Sequence, residues 1–98
     1  MVQVIWSQQA ESDLEETCEY IARSSSESQA QSFAARVHGV VDAIRRLPHS
    51  GWVVQEYGDA AIRERLSGKH RIIYRVDGET VRILTVIRGS KGLPKKLS

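Results

Sequence analysis

The chain has 98 residues, 41% hydrophobic and 27% charged, enough for one small domain with a two-layer core and too few for a second. A single cysteine, Cys18, excludes an intramolecular disulfide framework and a multi-cysteine zinc site, and no apolar run is long enough for a signal peptide or a membrane span, so the expected location is the cytoplasm. The net charge of +2 divides unevenly: residues 1–49 carry four basic side chains against seven acids, residues 50–98 ten against five, and no acid follows Glu79.

Such asymmetry points the C-terminal half toward an acidic or nucleic-acid partner. The chain opens on Val2-Gln3-Val4-Ile5-Trp6, a β-rich run of one strand's length. Ser7 is suited to cap a helix over about Gln8–Arg23. In that helix Ala10, Leu14, Cys18 and Ile21 recur at helical spacing, while Glu11, Asp13, Glu15, Glu16 and Glu19 mostly face out. Ser24-Ser25-Ser26 breaks it, and Ser26-x-x-Gln29 has the form of a capping box for a second helix. Ala30, Phe33, Ala34, Val37, Val40, Val41, Ile44 and Leu47 then step by three or four up to Pro48, which ends the helix. The short serine linker folds the two helices into an antiparallel hairpin with its apolar stripe against a sheet.

Pro48-His49-Ser50-Gly51 reads as a turn. Three strands follow, Ile62–Leu66, Arg71–Val76 and Val81–Ile87, joined by Ser67-Gly68-Lys69-His70 and Asp77-Gly78 connections. The order β, α, α, β, β, β predicts an α+β fold: an antiparallel sheet with an N-terminal helical hairpin packed on one face, and a basic tail from Gly89 to Lys96.

Most chemistry can be rejected on spacing. His38, His49 and His70 lie in different elements, and none pairs with Cys18 or an acid at a metal-ligand interval. Gly89-Ser90-Lys91-Gly92 lacks the spacing of a phosphate loop and a helix to follow it. Cys18 sits among acids that raise a thiol pKa, so a nucleophilic role has no support. What remains is arginine geometry. Arg63 and Arg65 share one face of a strand, Arg71 and Arg75 one face of the next. If Ile72, Tyr74 and Val76 meet the helices, Arg71 and Arg75 point to the opposite face, where Arg63 and Arg65 could join them. Arg88 and Lys91 then add to a patch able to hold phosphate or developing negative charge, unless the strand face is simply solvated.

Several blocks together resemble the RelE/ParE superfamily of toxins from bacterial type II toxin–antitoxin systems, often labelled plasmid-stabilisation proteins. They are Val4-Ile5-Trp6-Ser7 with Ala10 and Asp13-Leu14, Tyr20-Ile21-Ala22, Leu47-Pro48-x-x-Gly51, Ile62-Arg63-Glu64, Arg71-Ile72-Ile73-Tyr74-Arg75-Val76 and Ile83-Leu84-x-Val86-Ile87. The resemblance implies a βααβββ fold and a cognate antitoxin. It further implies either inhibition of DNA gyrase, in the ParE branch, or ribosome-dependent messenger-RNA cleavage, in the RelE branch. Arg63, Arg65, Arg71 and Lys91 stand where RelE-like toxins carry basic active-patch residues. Arg88 ends the last strand where related ribonucleases place histidine, and no tyrosine follows Tyr74.

RNA cleavage needs a group that takes the 2′-hydroxyl proton, a task unsuited to a permanently protonated arginine, though His70 could serve. The long hairpin is similar to the ParE branch. The expectation is therefore a gyrase-binding toxin without cofactor, metal or membrane partner. Its alternatives are a ribosome-dependent endoribonuclease acting through Arg63, Arg65, Arg71, Arg88 and Lys91, and a non-toxic partner-binding domain of the same fold. The antitoxin is expected to present an acidic or amphipathic segment to the hairpin or the basic strands, and a homodimer stays open.

Overall fold

The computed structural model describes residues 2–94. Lys95 and Lys96 of the basic tail lie outside the described residues. Strand β1 (Gln3–Trp6) leads into helix α1 (Gln8–Ser24), and helix α2 (Glu27–Arg46) follows after two residues. A 3₁₀ turn (Pro48–Ser50), a two-residue strand β2 (Trp52–Val53) and a second 3₁₀ turn (Gln55–Tyr57) lead to β3 (Ile62–Ser67), β4 (His70–Asp77) and β5 (Thr80–Arg88).

Local chemistry explains the helix ends. The Ser7 hydroxyl accepts from the Ala10 N–H at 3.0 Å and donates to the Leu84 C=O at 2.9 Å, so one side chain both caps α1 and ties its start to β5. Ser26 caps α2 by accepting from the Gln29 N–H at 3.1 Å. Pro48 follows the C-cap Leu47, which is exposed and takes no part in the stripe expected to include it. Of the rest of that stripe, Ala30, Phe33, Val37, Val41 and Ile44 are buried and Ala34 and Val40 half-buried.

The sheet has the order β1-β5-β4-β3-β2. Its β3-β4-β5 portion is the antiparallel meander expected, closed by Gly68 and Gly78 at positive φ in the two turns. Two features were not foreseen. β1 lies parallel to β5, with Val4 opposite Val81 and Trp6 opposite Ile83, making the sheet mixed. β2 adds an antiparallel edge on β3. Between β4 and β5 the register slips: Ile73 faces Thr85 but Tyr74 faces Ile83, leaving Leu84 as the extra residue of a bulge.

Both helices cover one face of the sheet. There Ile72, Tyr74, Val81, Ile83 and Val86 pack with Phe33, Val37, Val41, Ile44 and Ala10. The opposite face carries a smaller cluster of Val54, Ile62, Ile73 and Leu84, with Tyr57, Ile87 and Leu93 against it. Among the described residues no helix is long and apolar enough to cross a membrane.

Candidate functional site

Directly opposed residues of neighbouring strands share a face, so the register assigns each arginine its side. Arg63 is opposite Tyr74 and Arg65 opposite Ile72, both on the helix-covered face. Arg71 is opposite Leu66 and Arg75 opposite Ile62, on the other face. The expected convergence of the four arginines therefore fails, because the pairing of β3 with β4 puts the two pairs on opposite sides.

Arg63 and Arg65 brace the turn after α2. Arg63 Nη1 donates to the Gly51 C=O at 3.1 Å and the His49 C=O at 3.4 Å, and Arg65 Nη1 donates to Ser50 Oγ at 2.9 Å. Tyr74 completes the brace: its hydroxyl donates to the Pro48 C=O at 2.7 Å and accepts the Gly51 N–H at 3.0 Å. Burial pushes the Tyr74 phenol pKa up, which keeps it a donor. This accounts for the Leu47-Pro48-x-x-Gly51 block. A Cβ at position 51 would run into the Tyr74 hydroxyl and come within 2.6 Å of the Glu64 C=O.

Arg71 is held in a fork: Nε and Nη2 each donate to a different Glu64 carboxylate oxygen at 2.7 Å, and Nη1 reaches Glu56 at 3.4 Å. These carboxylates hold its guanidinium in the charged form. Arg75 pairs with Asp59 at 3.1 Å. Arg71 and Arg75 are therefore not free for a phosphate as expected: Glu64 lies on the neighbouring strand, Glu56 in the second 3₁₀ turn and Asp59 just after it, so none of these partners is visible from spacing along β4.

Arg88 and Lys91 stand elsewhere. With His70 they line an open groove of about 770 Å³ between α1 and the second half of β5, which Asp13, Glu16 and Tyr20 border on the helix side. Neither Arg88 nor Lys91 is in a salt bridge among the described residues. His70 stands opposite Arg88 in the register and edge-on to Phe33, with ring centroids 4.8 Å apart. Burial, and then the Arg88 charge, lower the His70 pKa, so its imidazole is neutral near pH 7.

Asp13, expected among the outward acids of α1, is instead turned to β5. Its carboxylate accepts from the Thr85 hydroxyl and, at 3.0 Å, from the Val86 N–H, pinning α1 to the strand just past the bulge. Its place three residues beyond Ala10 and beside Leu14, on the flank of the apolar stripe, was the available signal. His38 stacks at a tilt on Trp6, centroids 5.5 Å apart, and His49 is exposed. Among the described residues no group of three His, Cys, Asp or Glu is placed to hold a metal ion.

The family model described as "ParE toxin of type II toxin-antitoxin system, parDE" matches residues 4–92. The chain belongs to this family. In three dimensions this ParE-family toxin is similar to a chain of the chromosomal ParDE toxin–antitoxin system from P. aeruginosa. The TM-score is 0.76 and the identity 17%, over 90% of this chain and 96% of that one. It is also similar to YoeB of Staphylococcus aureus, both as the YoeB dimer (TM-score 0.58, 15% identity, 88% and 94% covered) and in the YoeB–YefM complex (0.54, 15%, 89% and 95%). At such identities the likeness is one of fold. None of the curated proteins matches the chain in sequence. Membership in the ParE family makes the chain the toxin of a type II pair, and its partner an antitoxin.

Proposed function

We propose that this ParE-family toxin arrests growth as a non-enzymatic poison of DNA gyrase. One observation carries the reading: the cations that an RNA-cleaving patch would pool are divided. Cleavage of a phosphodiester by a 2′-hydroxyl needs charge stabilisation and proton transfer at one place. Arg71, the cation of the most family-like block, has its fork filled by Glu64 and faces away from His70, Arg88 and Lys91, while Arg63 and Arg65 are spent on the loop after α2. A toxin so arranged is suited to hold a macromolecular target rather than to cut one.

The groove favours one second reading. A neutral His70 beside Arg88 and Lys91 offers a proton acceptor next to two cations, the minimum for cleaving messenger RNA. The deciding experiment pairs a supercoiling and cleavage assay on purified gyrase with mapping of messenger-RNA ends in induced cells. The expected result is trapped gyrase–DNA cleavage complexes and intact messages. New ends inside the ribosomal A site, absent with His70→Ala, together with unaffected gyrase, would overturn the gyrase reading. Unchanged growth on induction would leave only a partner-binding domain of the same fold.

A further inference from the structure

Most cations of the described residues already have partners. Arg23, Arg45, Arg46, Arg71 and Arg75 face carboxylates, and Arg63 and Arg65 donate to the loop after α2. Of the others, Arg36 stands in α2 and Arg82 in the middle of β5. Lys69, Arg88 and Lys91 differ from all of these, because the chain gathers them at one corner of the sheet with no ion pair among the described residues.

Two main-chain bonds build the corner. The Gly89 N–H donates to the Lys69 C=O at 2.7 Å, which sets the end of β5 against the turn between β3 and β4, and His70 stands opposite Arg88. The Lys91 N–H donates to the Arg88 C=O at 2.9 Å, closing a four-residue turn that brings the Cα atoms of Arg88 and Lys91 within about 7 Å. All three cations are exposed, and the segments that carry them, 66–76 and 81–94, hold no acid. The Arg88 charge helps to lower the His70 pKa, as a cation without a counter-charge does. Asp13 and Glu16 border the neighbouring groove on the α1 side, so an anion is drawn to the outer rim of the corner and not into the groove.

Resting on the reading of this toxin as a gyrase poison, we infer that the corner of Lys69, Arg88 and Lys91 holds the phosphate backbone of the duplex DNA that gyrase carries. A line of phosphates meets the three cations together, and Lys and Arg on exposed turns grip it without reading the bases. Duplex is favoured over single strand because the corner offers charge and no stacking platform. Its one ring, His70, lies edge-on against Phe33, and Tyr20 stands across the groove on the side of Asp13 and Glu16. A toxin that touches enzyme and DNA together binds their complex better than the enzyme alone, and that difference in affinity is what stabilises a cleaved complex.

Binding of the full-length toxin to purified gyrase, with and without a linear DNA duplex and over a range of salt, tests this. The parent should bind gyrase–DNA more tightly than gyrase alone. Lys69→Gln with Lys91→Gln, both at exposed positions, should weaken binding to gyrase–DNA and reduce the slope of log K against log salt by roughly 2, or about 0.9 per lysine lost. Binding to gyrase alone should be unaltered, and Lys69→Arg with Lys91→Arg should keep the parent slope. The DNA contact is overturned, with the gyrase reading left standing, by a parent that binds gyrase equally with and without DNA, by an unchanged slope on gyrase–DNA, or by an equal loss on gyrase alone. Displacement of the toxin by single-stranded RNA more readily than by the same concentration of duplex overturns it too. A parent toxin that binds gyrase in neither form overturns both the contact and the gyrase reading.

Discussion

Under the helices, one face of the sheet presents Ile72, Tyr74, Val81, Ile83 and Val86 to a matching stripe on α2, with buried atoms in contact on both sides. Among the described residues the other face has no such layer. Its four buried apolar residues, Val54, Ile62, Ile73 and Leu84, are roofed by Tyr57 and Leu93, and the Tyr57 hydroxyl donates to the Pro94 C=O at 2.6 Å. Arg71–Glu64 and Arg75–Asp59 fence the edges. The first face is stabilised by area removed from water; the second carries a small apolar island bordered by ion pairs. Arginines with the look of a ligand patch in sequence are thus partly the edging of a thin core.

The largest effect should come from breaking the thick face. Phe33, 4% exposed, sits at the middle of the stripe, and Phe33→Ala should cost about 3–5 kcal/mol. Denaturant unfolding measures it, and a melting temperature within a degree or two of the parent would mean that α2 does not bear on the sheet through this residue.

Arg71→Ala attacks the thin face and should cost less, about 1–3 kcal/mol, since it strands a Glu64 side chain that is only 16% exposed. Arg71→Ala combined with Glu64→Ala should recover part of the loss, because the carboxylate then left unpaired, that of Glu56, is exposed to water. Strict additivity in that cycle would show that the pair is not coupled and that the island is closed by something else.

What could be read from the sequence follows the range of the interaction. Ser7, Ser26, the α2 stripe as far as Ile44 and the Asp77-Gly78 turn are set by contacts within a few residues, and each stands as its spacing requires. The parallel seat of β1, the two-residue β2 and the register of β3 on β4 depend on partners far along the chain. That register decides which face Arg63 and Arg65 occupy. Of the candidate site, only the chain position is legible in the sequence: Arg88 ends β5 and Lys91 follows it. The groove itself was not visible, because it exists only where α1 leaves β5 uncovered.

A smaller effect separates the brace from the core beneath it. Tyr74→Phe keeps the buried ring but removes the hydroxyl shared by the Pro48 C=O and the Gly51 N–H, and should cost about 1 kcal/mol. The loss should appear as faster amide exchange over Pro48–Trp52, with β4 and β5 unchanged; exchange accelerated throughout β4 would make Tyr74 a core residue first and a brace second.

The least effect, and the sharpest separation of the two faces, should lie in pH. On the helix-covered face, burial and the Arg88 charge hold the His70 pKa below its ordinary value. The unfolded chain then takes up a proton first, so stability declines as pH falls below about 6.5 and levels once the folded His70 has titrated too. On the thin face the shift has another cause. Asp59 is held below its usual range by the Ala61 N–H and then by Arg75, and Glu56 by a backbone N–H and then by Arg71. Their contribution is present above the ordinary carboxylate range, near about 4, and is lost as pH falls through it. The urea midpoint followed against pH should therefore show two limbs. His70→Gln should flatten the upper limb and leave the acid limb, and Asp59→Asn should shrink the acid limb alone. If either variant alters both limbs, the two faces titrate as one unit, and the division between a packed face and a fenced one fails.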